Sequence, residues 1–157
     1  MSMRWPLSVL LCVALCTLCA CGSTVTLQVR GVAPLNLTDA DESTPVDARI
    51  YQLRSDVKFR NAVVDQLWTN DKATLGDDIV GEPKVVTVLP GGAHDNPVQV
   101  TVGELATGTR FLGILALYHR SDAADRRVLV LDVNELDGKV IEFTRYSVAL
   151  STAGGGK

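Results

Sequence analysis

The residues best suited to covalent chemistry in this chain are its four cysteines, and their neighbours sort them. Cys12, Cys16 and Cys19 follow Leu11, Leu15 and Leu18, whereas Cys21 follows Ala20. Leu18-Cys19-Ala20-Cys21 therefore sets an aliphatic residue three places before a cysteine and a small residue directly before it. This is a lipobox pattern. The thiolate is the nucleophile that takes a diacylglycerol group, and small residues let a signal peptidase reach the backbone. A leucine before the cut excludes the other three cysteines. Lipidation is thus assigned to Cys21, and residues 1–20 become a lipoprotein signal peptide. An exported protein with four cysteines suggests disulfides, but three of these depart with the signal and the fourth is acylated. The mature domain is expected to hold no disulfide and no thiolate metal site.

The segment before Cys21 supports the assignment. Arg4 is its only charge, and Trp5 to Ala20 is dominated by Leu, Val, Ala and Cys, which is a secretory layout. Read instead as a transmembrane helix, this run of roughly sixteen residues would span only about 24 Å of a hydrocarbon core roughly 30 Å thick. An ordinary signal peptide with a chance cysteine is the other alternative. Gly22, where an Asp tends to retain lipoproteins at the inner membrane, points to the outer membrane. Removing residues 1–20 removes one positive charge, taking the net charge from −3 to −4. No basic footprint for nucleic acid is expected.

Other candidates for chemistry are sparse. His94 and His119 lie too far apart in sequence for a paired metal motif. Asp77, Asp78 and Glu82 read as solvated turn carboxylates rather than an acid–base pair. No G-x-S-x-G elbow offers a nucleophile. The sequence supports no catalytic residue, no cofactor, no metal and no small-molecule substrate.

The elements that must position any binding surface are mostly strands. Val25, Leu27 and Val29 alternate with polar residues, the period of a half-buried strand. A polar loop from Ala33 to Pro45 follows, and strand character returns over Val46 to Leu53. Phe59, Ala62, Val63, Gln66 and Leu67 fall on one helical face, predicting a single helix within Ser55 to Trp68, capped by Ser55 or Asp56. Further strands are predicted at Val85 to Leu89, Val98 to Val102 and Phe111 to Tyr118, the last apolar enough to be covered on both faces. Asp137-Gly138 predicts a hairpin joining Val128 to Val133 with Lys139 to Tyr146, and Ser147 to Leu150 extends that last strand. Some seven strands and one helix argue for a mainly β, two-sheet β-sandwich with one helical insertion over residues 25–150. Residues 21–24 form a short linker and 151–157 a flexible tail. Tyr51, Phe59 and Trp68 are expected in the core, and Arg49 is expected to pair with a carboxylate.

Several of these segments, in this order, resemble the TssJ family, the outer-membrane lipoproteins of type VI secretion. The resemblance rests on Pro45-Val46-Asp47-Ala48-Arg49-Ile50-Tyr51-Gln52-Leu53, on Phe59, Ala62 and Leu67-Trp68, and on Leu75-Gly76-Asp77-Asp78-Ile79. Leu89-Pro90-Gly91 and Phe111-Leu112-Gly113-Ile114-Leu115-Ala116-Leu117-Tyr118 complete it. It implies a transthyretin-like sandwich, attachment to outer-membrane lipid at the periplasmic face through acylated Cys21, and capture of the periplasmic part of the inner-membrane protein TssM. It also implies that the loop between the first two strands makes the contact. The partner-binding residues expected there are Leu35, Asn36, Leu37, Thr38, Asp39, Asp41, Glu42, Ser43 and Pro45. Physically, Leu35 and Leu37 would supply apolar anchoring while Asp39, Asp41 and Glu42 orient a basic partner surface. The alternative is a periplasmic lipoprotein binding module for a small ligand or glycan. An aromatic content of 5% argues against the aromatic-lined cavity this would need.

Overall fold

The computed structural model describes residues 24–93, 95–120 and 126–152. Cys21 and the predicted signal segment, His94 and residues 153–157 of the predicted tail lie outside the described residues. Eight strands form two four-stranded sheets. The first sheet has the order β4-β1-β7-β8, from β1 (Thr24–Gly31), β4 (Val98–Glu104), β7 (Lys139–Thr144) and β8 (Ser147–Thr152). The second has the order β3-β2-β5-β6, from β2 (Val46–Leu53), β3 (Ile79–Val88), β5 (Phe111–Leu117) and β6 (Val128–Asp132). The predicted two-sheet sandwich is what forms. Pairing is antiparallel except between β1 and β7, where Gln28 lies opposite Val140 and Gly31 opposite Phe143.

The two-residue period places the core. Leu27 and Val29 of β1, Val46, Ala48 and Ile50 of β2, and Leu112, Ile114 and Ala116 of β5 meet Ile141, Phe143 and Val148 between the sheets. The second sheet is also covered on its outer face. There Tyr51, Leu53 and Leu115 pack with Phe59, Leu67 and Leu75. This is why β5 is apolar at nearly every position: five of its seven residues are buried, on alternating faces.

The helical insertion is broken, not continuous. It consists of α1 (Val57–Asn61), α2 (Val64–Thr69) and α3 (Asp71–Leu75), followed by a 3-10 turn at Gly76–Asp78. Ala62 and Val63 are extended and interrupt the predicted helix. The physical reason lies in what is buried: Phe59, Leu67 and Leu75 each drive one side chain into the outer face of the second sheet, while Val63 stays 60% exposed. Asp56 occupies the α1 N-cap position without a side-chain cap hydrogen bond, and its carboxylate pairs with Arg60 instead.

Two further expectations are corrected. Asp137-Gly138 does not join a hairpin, because β6 pairs with β5 in one sheet and β7 with β1 and β8 in the other. The residues lie on the crossover between sheets, where Gly138 has φ 69°. The hairpin is instead β7–β8, turning at Arg145 and Tyr146, and β8 runs on through Ser151 and Thr152, the first two residues of the expected tail.

Candidate functional site

The loop between β1 and β2 is ordered by its own hydrogen bonds. Its base joins neighbouring elements: Val32 N donates to Phe143 O at 2.8 Å, Ala33 N to Gly91 O at 2.8 Å and Asn36 N to Arg145 O at 2.9 Å. Asn36, 7% exposed, is the organising side chain. Its amide donates to Thr44 Oγ1 at 3.0 Å and to Pro45 O at 2.6 Å, and its Oδ1 accepts from His119 N at 2.6 Å. Its φ of 44° is a left-handed conformation that asparagine tolerates better than most residues. Ser43 Oγ accepts from Leu35 N at 3.0 Å, and Thr44 N donates to Leu35 O at 3.0 Å, which draws the two arms of the loop together.

Leu35 and Leu37 are 0% and 4% exposed and belong to the core between the sheets. In this structure they close the end of the sandwich, which needs apolar side chains there, and do not face outward. Asn36 is likewise interior. The surface of the predicted site is the tip, where Asp39, Asp41, Glu42, Ser43 and Pro45 are exposed and Thr38 is half-buried. Thr38 N donates to Glu42 O at 3.0 Å, Asp41 N to Thr38 O at 3.1 Å, and Thr38 Oγ1 accepts from Ala40 N and Glu42 N. Asp41, with φ 57°, makes the left-handed turn that Asp accommodates.

Electrostatically the tip is acidic but not free. Arg120, beyond the end of β5, donates from Nε to Asp39 Oδ1 at 3.0 Å, and its Nη1 lies 3.8 Å from Asp41 Oδ1. The Asp39 hydrogen bond raises the Arg120 pKa, against the lowering effect of desolvation, with smaller help from Tyr146, Asp39 and Asp41. Arg127 donates to the Arg120 carbonyl and steadies the backbone beneath it. Sequence reasoning missed Arg120. Its signal, a lone Arg after a buried strand, carries no indication that the loop's tip lies across from it.

The motif residues of β2 have a structural task. Arg49 Nη1 donates to Trp68 O at 2.9 Å, its guanidinium sits 3.8 Å from the Trp68 ring centroid, and it lies 3.7 Å from Asp71. The expected carboxylate partner is Asp71. Trp68 is 44% exposed, so the core placement holds for Tyr51 and Phe59 but not for Trp68. Tyr51 Oη donates to Leu67 O at 3.0 Å. Gln52 Nε2 donates to Glu104 O at 3.1 Å, and its Oε1 accepts from Ala106 N at 2.7 Å and Thr109 Oγ1 at 2.9 Å. Arg49 and Tyr51 clamp α2 onto the sheet, and Gln52 ties down the loop after β4. The predicted solvated carboxylates are partly paired, Asp78 with Lys58 at 3.8 Å and Glu82 with Lys72 at 2.7 Å.

The ends of the molecule are distinct. Thr24 begins β1 opposite Glu104, beside Gln52 at the end of β2, whereas the acidic tip lies beyond Gly31 at the other end. These features define a two-sheet β-sandwich domain with an ordered, charged loop at one end. Its particular membership follows from comparison. The family model described as type VI secretion lipoprotein (VasD, EvfM, TssJ) matches residues 23–150, and the chain belongs to that family. Among solved structures, the type VI secretion lipoprotein TssJ1 from Pseudomonas aeruginosa is 26% identical with a TM-score of 0.68, covering 86% of this chain and 99% of that one. A chain of the type VI membrane complex is 29% identical with a TM-score of 0.70, covering 82% and 97%. A chain of the structure described as the type VI protein TssM C-terminal domain from EAEC is 27% identical with a TM-score of 0.67, covering 82% and 97%. Comparison with individually curated proteins gives no match. The family is one of type VI secretion lipoproteins.

Proposed function

We propose that this chain is the outer-membrane anchor of a type VI membrane complex and holds the periplasmic part of a TssM-type protein through the tip of the β1–β2 loop. Acylated Cys21 would fix the mature chain, which begins there, at the periplasmic face. The observation that carries the reading is the separation of the two ends. Cys21 lies three residues before β1, and the loop lies after it. At roughly 3.3 Å per residue the eight residues of β1 hold the tip about 25 Å from the anchored end. The description of one similar structure as a TssM domain, and of another as the type VI membrane complex, supports the choice of partner.

The exposed carboxylates of Asp39, Asp41 and Glu42 favour a basic surface, and fixing the loop in advance lowers the ordering cost of binding. Because Arg120 already occupies one face of the tip, the partner exchanges with it or binds the opposite side. The test replaces Asp39 and Asp41 by Asn and Glu42 by Gln, and measures affinity for the periplasmic TssM domain of the same bacterium. The expected loss is on the order of tenfold or more, greater at low salt. Unchanged affinity would remove the tip from the interface.

A further inference from the structure

The sandwich is open along one side, between edge strands β3 and β4. The pairing of Val29 with Val98 and of Leu27 with Val100 puts Val98 and Val100 of β4 on the inward face of the first sheet. Yet Val98 is 67% exposed, and Leu89, directly after β3, is 66% exposed. Between them lies a cleft of about 300 Å³ whose apolar lining comes from Val29, Val88, Leu89, Pro90, Val98 and Val100. Among the described residues, no aromatic side chain lines it.

The free edges differ in how they are protected. Edge strands are usually blunted by proline, by charge, by shortness or by covering. β3 carries Glu82, Pro83 and Lys84. β6 has five residues, and β8 is covered at its start, where Val148 N donates to Arg126 O at 2.8 Å. β4 reads Val-Gln-Val-Thr-Val with no charge or proline before Gly103. Among the described residues, Lys84 reaches across from β3 to the Thr101 carbonyl and guards that part of the β4 edge. The stretch from Val98 to Val100 remains open, with a backbone edge beside it.

This opening is continuous with the proposed partner-binding end. Val32, at the base of the β1–β2 loop, bridges Gly91, and Ala33 N donates to Gly91 O at 2.8 Å. A methyl group at Gly31 would come within 2.2 Å of the Leu89 carbonyl, so the loop after β3 is pressed against the end of β1. The cleft therefore adjoins the base of the loop that carries the acidic tip, at the same end of β1.

We infer that β4 and its cleft accept a short extended segment of the same partner, which adds to the β4 edge and places an aliphatic side chain between Leu89 and Val98. Main-chain hydrogen bonds would supply affinity and the cleft would select the side chain, as in other strand-addition interfaces. The inference rests on the proposed capture of a TssM-type protein. The test uses the mature chain and the periplasmic TssM domain, with two variants at exposed positions, Val98→Lys and Leu89→Lys, each checked for an unchanged melting temperature. Each is expected to weaken binding by about tenfold, as for a desolvated apolar anchor, and hydrogen exchange at Val98–Val100 should slow in the complex. If the tip variants lose binding while both lysine variants bind like the parent, the cleft inference falls and the tip reading stands. If the parent does not bind the domain at all, both fall. If the purified chain dimerises and Val98→Lys abolishes only the dimer, the edge serves a second copy and the partner assignment is overturned.

Discussion

At the scale of single residues, Asn36 matters most to the site, because three of its hydrogen bonds hold a loop that would otherwise rely on an apolar base alone. Asn36→Ala leaves the His119 amide and the Pro45 carbonyl without this partner and puts an alanine at φ 44°. A loss of roughly 1–3 kcal/mol in unfolding free energy is expected from denaturant titration, along with faster exchange of the loop amides. Tyr51 gives a pH signature. Its pKa is raised above the ordinary 10.0, first by burial, with Asp71 adding and Arg49 opposing. A phenol whose folded pKa exceeds its unfolded value contributes stability that is complete below the unfolded pKa and is lost as pH rises through the folded one. The melting temperature of the parent should therefore fall faster above pH 10 than that of Tyr51→Phe. The acidic tip was legible in the sequence because Asp39, Asp41 and Glu42 cluster in a polar loop. The burial of Leu35 and Leu37 was not, since an apolar residue in a loop reads the same whether it faces a partner or plugs its own core.

At the scale of elements, Gly113 explains why the helical insertion can lie where it does. It pairs with Tyr51 on the outer face of the second sheet, and a Cβ there would stand 2.9 Å from both the Phe59 ring and Leu53 Cδ1. Gly113→Ala should force Phe59 outward and cost about 1–3 kcal/mol by overpacking, measured as a lower denaturation midpoint with little change in tip binding. The strands were legible because alternation in β1 and β4 and continuous apolarity in β5 each report a distinct environment. The insertion was read as one helix because periodicity records which residues share a face and is silent on a break at Ala62 and Val63. The β7–β8 turn was missed for a related reason: Arg145 and Tyr146 carry no glycine or asparagine to mark it. Asp137-Gly138 did mark a turn, but local turn chemistry does not specify which sheet the next strand joins.

At the scale of the whole molecule, the proposed function would make the sandwich a spacer between acylated Cys21 and the tip of the β1–β2 loop. Neither end needs to move. Two covered faces of the second sheet, together with the Arg49–Trp68 and Tyr51–Leu67 contacts, keep β2 fixed behind the loop. On that reading, membrane attachment would also raise the effective concentration of the tip for a partner held in the same envelope. The sequence carried the order of the elements and the anchoring motif; the opposition of the two ends depends on the pairing of β1 with β4 and β7, which no local pattern encodes. The most direct measurement is flotation of phospholipid vesicles bearing the acylated chain, mixed with the soluble periplasmic TssM domain. The acylated chain should carry the domain into the floating fraction, and Cys21→Ser should leave both proteins in the soluble one. A Cys21→Ser chain that floats like the parent, or an acylated chain that floats alone, would contradict the account.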